Sequence, residues 1–418
     1  MKLTDEEQRM LDGQYGKAVS MAMSILTKLG QIYDAEEMMP VTQVHIDSTF
    51  FQLLGDAGLE FVARLVDCEA KFCVPTSLNP SARDIERWQE FRVPLDFAEK
   101  SRRLEQAYLR MGAIPTWTCA PYQNGMIPCF GQQIAWAESN AIAFANSVIG
   151  ARTARYGDFA DICAAVTGRV PKFSLHIPQN RSGEILLRLQ TPELIDFGDD
   201  SIYPVIGYIA GSLAQERIPV IEGIPNTVSS DNLKALSAAA ASSGAVALFH
   251  VLGVTPEAST YEDAFQGKEL RQIIDIGEEE LLTARRNLST VNEGKVDLVV
   301  MGCPHASFIE VKQLNQLLDG KKIARGVELW VQTNRVVYHW LKEAGLLESL
   351  GLSGVKVTTD TCNLNWPRDI WDNWGFRLLV TNSAKWAHYA PGLTGLQVIF
   401  ANIQNCVKAA LKGEIRGS

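Results

Sequence analysis

Three cysteines carry the first chemical signal. Cys119, Cys303 and Cys362 lie in Ile-Pro-Thr-Trp-Thr-Cys-Ala-Pro-Tyr, Val-Val-Met-Gly-Cys-Pro-His and Val-Thr-Thr-Asp-Thr-Cys-Asn. Each follows a short stretch of turn or strand character, and none has a second cysteine two or three residues away. In an open α/β sheet the carboxyl ends of the strands meet at one crevice, and ligands bind there. Three thiols carried to that crevice from distant parts of the chain suit an iron–sulfur cluster with one iron left free of protein ligands. A free iron of this kind acts as a Lewis acid, which is what a dehydratase needs. Other readings stand beside this one. A free cysteine is commonly a small buried hydrophobe, although the shared strand-end context argues against that for all three. Structural zinc sites usually draw on closely spaced cysteine pairs. Cys303 near His305 could form a nucleophile and base, but neighbours at a turn seldom point the right way. Cys68, Cys73, Cys129, Cys163 and Cys406 read as packing residues.

Other candidates share the strand-end placement. Lys385, in Asn-Ser-Ala-Lys-Trp-Ala-His-Tyr, follows a predicted strand and can hold a carboxylate or phosphate; His388 lies beside it. An ordinary solvated lysine fits the position equally well. His45 and Asp47, in Val-His-Ile-Asp-Ser, end another predicted strand, where a capped turn is the plainer reading. Residues 132–149 read as a helix that is apolar nearly all round, hence buried. It nonetheless carries Glu138, Ser139, Asn140, Asn146 and Ser147. Buried polar groups need partners, so these residues either line a site or pair within the core.

The elements that must position these groups form an α/β chain of mostly parallel sheets flanked by helices. The chain has 418 residues, is 46% hydrophobic and carries a net charge of −9. That length allows two or three domains. No basic run suggests nucleic acid, and no apolar stretch approaches the ~20 residues needed to span a bilayer. The acidic amino terminus is unlike a signal peptide, and the cysteine spacing is unlike a secreted disulfide scaffold. A cytoplasmic location is expected.

Thr4 and Glu7 form a predicted capping box, with Leu3 as its staple, opening a helix whose apolar spacing runs to Leu29. A strand at 41–45, a helix at 50–66, a strand at 70–74 and a helix at 97–111 ended by Gly112 are expected next. The first domain is placed at 1–154. Residues 155–280 have more loops, an Ala/Ser-rich helix at 232–243 and a strand at 245–252; they read as a second domain or insertion. Residues 281–418 alternate regularly. Strands are expected at 296–301, 327–331, 355–359 and 376–380, and helices at 308–318, 335–350 and 396–412. That alternation implies a parallel sheet in a third domain.

Several longer segments resemble the aconitase X family, specifically its large, catalytic subunit. They are Val-His-Ile-Asp, Val-Pro-Thr-Ser-Leu-Asn (74–79), Trp-Thr-Cys-Ala-Pro-Tyr (117–122), Ala-Glu-Ser-Asn-Ala and the run from Phe144 to Thr153. His-Val-Leu-Gly-Val-Thr-Pro-Glu-Ala (250–258), Gly-Cys-Pro-His and Asp-Thr-Cys complete the set. The resemblance implies an iron–sulfur hydro-lyase of aconitase-like, multi-domain architecture. It places cluster ligands on Cys119, Cys303 and Cys362, with the cluster either 2Fe-2S or 4Fe-4S. Expected catalytic residues are His45, Asp47, Glu138 and Lys385. Expected substrate-binding residues are Thr76, Ser77, Asn79, Ser139, Asn140, Arg152 and Thr153. Ser77 departs from the pattern, standing where a second threonine is expected.

Related enzymes also need a small swivelling domain that supplies a catalytic serine. No such domain is read in this chain, so a small partner subunit is expected to provide it. The family acts on cis-3-hydroxy-L-proline or on phosphomevalonate. The motif segments offer few cations, mainly Arg152, Arg155 and Lys385, and several neutral or acidic groups. An acidic group suits a ring ammonium and one cation suits a carboxylate, which favours cis-3-hydroxy-L-proline. A non-catalytic scaffold subunit with a structural metal is the alternative from another class.

Overall fold

Thr4 caps the first helix as expected. In the computed structural model, which describes residues 1–270 and 272–416, its hydroxyl accepts from the Glu7 N–H, and the Glu7 carboxylate accepts from the Thr4 N–H at 2.9 Å. The predicted single helix is two, Asp5–Leu11 and Lys17–Ile32. Gly13 and Gly16 between them adopt φ of +83° and +98°, a conformation no helix interior tolerates. Apolar spacing continues across the break, which hid it.

Three parallel sheets organise the chain. The first holds Thr76–Leu78, Val44–Ile46 and Ala135–Trp136, in that order. The expected strand at 70–74 is therefore displaced to Thr76–Leu78, beyond Pro75. Helices Phe51–Asp67 and Leu95–Met111 pack on one another beside this sheet, and Gly112 ends the second in the left-handed region. Helix Ala160–Thr167 and strand Arg169–Pro171 pack on the first unit, the strand pairing with Met38–Pro40. They were expected with the second.

The second unit contains a four-stranded parallel sheet in the order His250–Val251, Pro219–Glu222, Ile185–Leu189 and Ile273–Ile276. Of the expected strand at 245–252, only His250–Val251 pairs in the sheet. Helices Ile202–Ala214 and Ser230–Ser243 pack tightly against each other. A Cβ at Gly207 would lie 2.4 Å from the Leu236 carbonyl oxygen, so this contact depends on a missing side chain.

The third unit is the clearest. Its five parallel strands run in the order Val355–Thr359, Glu328–Thr333, Leu298–Met301, Leu378–Thr381 and Gln397–Phe400. Helix Phe308–Leu318 appears as predicted, capped by Ser307. The predicted 335–350 helix breaks at Gly345 into Arg335–Glu343 and Leu346–Ser353. The predicted 396–412 helix is strand Gln397–Phe400 followed by Ile403–Lys412, capped by Asn402. Helix Ala384–Thr394 was not anticipated; Pro391 and Gly392 disguised it.

One hydrophobic core runs through all three units. Phe91 meets the Trp330 ring edge-on at 5.5 Å and Arg92 lies 4.0 Å over Trp374, tying the first unit to the third. Aromatic pairs of this kind contribute ~0.5–1.5 kcal/mol beyond the area they bury. Among the described residues no helix is long and apolar enough to cross a membrane.

Candidate active site

The carboxyl ends of the first and third sheets supply the functional side chains. Cys119 follows Thr118, whose N–H reaches the Leu78 carbonyl at 2.9 Å. Cys303 follows Leu298–Met301 through Gly302, and Cys362 follows Val355–Thr359. All three are half-buried. Their thiols influence one another, and Lys385 acts on all three. Burial raises all three above the ordinary thiol range, Cys303 and Cys362 to about 12. Cys119 is raised further by Glu138 and Cys303, while Lys385 acts in the opposite direction on each. Neutral thiols in a metal-free chain release their protons when metal binds.

Among the described residues no three His, Cys, Asp or Glu side chains converge closely enough to hold one metal ion. A cluster asks for something different, because its thiolates are spread over more than one iron. The donor set is all sulfur and comes from three distant segments. It fits an iron–sulfur cluster and does not fit a single divalent ion.

Gly302 sets the direction of Cys303. Its φ is +88°, and a Cβ there would lie 2.2 Å from the Gln332 carbonyl oxygen. Gly302→Ala is expected to cost about 1–3 kcal/mol and to displace the Cys303 turn. Thermal unfolding and iron analysis would show it, whereas an unchanged midpoint and iron content would refute the constraint.

Opposite the thiols stands an ion pair. Glu138 caps helix Ser139–Phe144, its Oε2 accepting from the N–H groups of Asn140 at 2.6 Å and Ala141 at 3.4 Å. Its Oε1 accepts from Lys385 Nζ at 2.5 Å. Burial alone would raise the Glu138 carboxyl, but Lys385 and the two amides outweigh it, so the group lies low and ionised. Burial likewise opposes the Lys385 charge, and Glu138 with Cys303 more than restores it. Lys385 lies in the first turn of Ala384–Thr394. Ser383 caps that helix through the Trp386 N–H and donates to the Cys303 carbonyl at 2.5 Å. One serine thus fixes both the lysine helix and the Cys303 turn. The expected helix at 132–149 is shorter because Ala135–Trp136 is a strand and Glu138 the cap; a π-helical turn, Ala145–Ile149, follows Phe144.

Asp47 behaves in the opposite way. Burial, and then Glu138, Asp161 and Asp158, push its carboxyl well above the usual range. Its Oδ1 accepts from the Asn79 amide. The Asp161 carboxylate holds the turn from below by accepting the Asp47 N–H at 2.8 Å. His45 is fully buried, and its Nδ1 meets Ser77 Oγ at 2.8 Å. Ser77 gives its own proton to the Val44 carbonyl, so His45 Nδ1 is the donor and Nε2 is left unpartnered. Burial keeps the ring neutral, with its pKa lowered to about 4.

The remaining predicted residues divide. Ser139 Oγ lies 3.4 Å from Lys385 Nζ, and the Asn140 amide donates to the Cys119 carbonyl at 3.0 Å and to Glu138 at 2.9 Å. Asn79 Oδ1 has no partner. Arg152 is half-buried with its Nε unpartnered. Thr76 and Thr153 do not present their hydroxyls for a substrate. Both side chains are fully buried; Thr76 donates to the Val74 carbonyl at 2.9 Å, and Thr153 accepts from the Trp136 N–H at 3.0 Å. A hydroxyl has one proton to give, and here it goes to backbone. Sequence reasoning missed Ser383, Asp161 and Tyr122, whose hydroxyl donates to Asn140 Oδ1 at 3.3 Å. Ser383 alone was detectable, as a serine two residues before Lys385 at a helix start. A cavity of about 730 Å³ lies elsewhere, between Arg285 and Lys412, and contains none of the thiols.

The three cysteine segments and the buried Glu138–Lys385 pair thus lie together at strand ends of the first and third sheets. Family models for the first, second and third domains of aconitase X match residues 1–179, 183–286 and 296–412. The chain belongs to the aconitase X family, and it is a hydro-lyase. It is 41% identical to a cis-3-hydroxy-L-proline dehydratase of Pseudomonas aeruginosa, over 97% of this chain and 69% of that protein. It is 35% identical to the phosphomevalonate dehydratase large subunit of Methanocaldococcus jannaschii, over 98% of this chain and 100% of that one. The crystal structure of holo-form aconitase X from Thermococcus kodakaraensis superposes with a TM-score of 0.88. It is 32% identical and covers 98% of this chain and 100% of its own.

Proposed function

We propose that the chain is the cluster-bearing large subunit of a dehydratase that acts on cis-3-hydroxy-L-proline. The observation that carries this reading is the Glu138–Lys385 pair, set 2.5 Å apart beside three thiols on strand ends. Cys119, Cys303 and Cys362 would hold the iron–sulfur cluster, which supplies an open iron to polarise the departing hydroxyl. The protein groups around it have separate tasks. Lys385, kept charged, attracts the substrate carboxylate. Glu138, kept ionised, holds Lys385 in place and matches the ring ammonium. Burial and the neighbouring carboxylates push the Asp47 carboxyl well above its ordinary range, toward the protonated form. Its Oδ1 accepts from Asn79, which leaves Oδ2 as the oxygen to pass a proton to a leaving oxygen. His45 stays neutral and braces Ser77. A small swivelling-domain subunit completes the site with a serine; the designation of several relatives as large subunits supports such a partner.

Identity favours hydroxyproline, with 41% against 30–37% for the phosphomevalonate enzymes. A second reading, phosphomevalonate, rests on identities of 35% and 36% to two phosphomevalonate dehydratase large subunits over 98% and 100% of this chain. The purified chain with its small subunit should convert cis-3-hydroxy-L-proline to an imino acid that reacts with an amine reagent. Turnover of phosphomevalonate alone would reverse the choice, and full turnover without the partner would remove the partner from the account.

A further inference from the structure

Lys234 is buried in a chain region with no part in the chemistry above. It lies on Ser230–Ser243 of the second unit, and its side chain is 2% exposed. Its ammonium meets Asp231 Oδ1 at 3.0 Å, Glu310 Oε2, and the His305 carbonyl at 3.3 Å. In the amide orientation that satisfies both its atoms, Gln123 accepts from Lys234 at 3.0 Å and donates to the same His305 carbonyl at 3.1 Å. The two acids are bound in turn to the loop that follows Cys303. Glu310 accepts the Ser307 N–H at 2.7 Å, and Asp231 accepts the Ser307 hydroxyl at 2.7 Å.

His305, held in this way, touches all three cysteine segments. Its N–H donates to Cys119 Sγ at 3.2 Å. Its ring Nε2 meets the Thr361 carbonyl, beside Cys362, at 3.0 Å. Cys303 lies two residues before it in the chain. A cation from the second unit therefore holds the carbonyl of the residue whose N–H reaches the Cys119 sulfur and whose ring reaches the Cys362 segment. Hydrogen bonds to ligand sulfurs, and the groups that orient ligands, tune a metal site and its affinity.

We propose that Lys234 is a positioning residue for the cluster, anchoring the His305 carbonyl and so holding in place the residue whose N–H meets the Cys119 sulfur. This rests on the cluster assignment to Cys119, Cys303 and Cys362. A neutral side chain of similar length keeps the apolar stem and removes the ammonium that holds the His305 carbonyl.

The test compares the wild-type chain with K234M and with D231N/K234M/E310Q. The triple variant removes the acids that K234M leaves unpaired, so folding is preserved if K234M alone is too unstable. Each chain is reconstituted with iron and sulfide, its visible circular dichroism recorded, and its loss of iron to a chelator followed well below the unfolding midpoint. The variants are expected to lose iron at least about tenfold faster than the wild type, with an altered visible dichroism. Equal rates and identical spectra would overturn the proposal, even if the variants melt earlier, because a purely structural lysine would change only the melting. A wild-type chain that takes up no iron would instead sink the cluster assignment, and this inference with it.

Discussion

Lys385→Met should nearly abolish turnover while leaving a folded but weakened protein. Methionine keeps the length of the stem and removes the charge. Glu138 would then be a buried carboxylate with only two backbone amides and the Asn140 amide for partners. Breaking a buried pair from one side costs ~3–5 kcal/mol, because the remaining charge is left uncompensated. The loss of a preorganised cation at the reacting carboxylate should lower kcat by about 10²–10³-fold. Steady-state kinetics and thermal unfolding measure the two effects separately. Activity within a few-fold of wild type would remove Lys385 from the chemistry.

The second large effect is a contrast between two carboxyls. Glu138→Gln should be damaging in every assay, since it leaves the Lys385 ammonium buried and unpaired. Asp47→Asn should abolish proton donation but spare the fold, because Asn resembles the protonated acid. The pH dependence follows from the direction of the shift. The Asp47 carboxyl lies well above its ordinary value of 3.8 when folded. The folded state then prefers the protonated form, so stability contributed by Asp47 is full below pH 3.8 and falls as pH rises toward the folded value. Asp47→Asn should therefore gain stability relative to wild type as pH is raised through that window. Denaturant unfolding at several pH values would show the trend. A difference that is flat with pH would mean that Asp47 is not held protonated.

Much of the third unit was legible because each strand and helix carries its own signal. Helix Phe308–Leu318 has a Ser/Glu capping box, and Val355–Thr359 is a β-branched run bounded by Gly354. The expectation for Cys119, Cys303 and Cys362 came from the same reading, since strand ends are where open sheets gather their ligands. The strands of the first unit were less visible. Val44–Ile46, Thr76–Leu78 and Ala135–Trp136 are two or three residues long and buried on both faces, so no alternation marks them. The Glu138–Lys385 pair joins residues 247 apart, and no local pattern encodes such a contact. The same holds for Asp161 beneath Asp47, and for Lys234 beside His305. Thr76 and Thr153 stand in motifs that surround the expected site, but their hydroxyls donate to backbone carbonyls.

The most direct test is iron and acid-labile sulfide per chain after anaerobic purification, for the wild type and for Cys119→Ala, Cys303→Ala and Cys362→Ala. The account predicts iron and sulfide with broad visible absorbance in the wild type, and loss of both in each of the three variants. Cys129→Ala, at an exposed cysteine, should match the wild type. A wild-type chain free of iron and sulfide, or three alanine variants that keep their full complement, would contradict it.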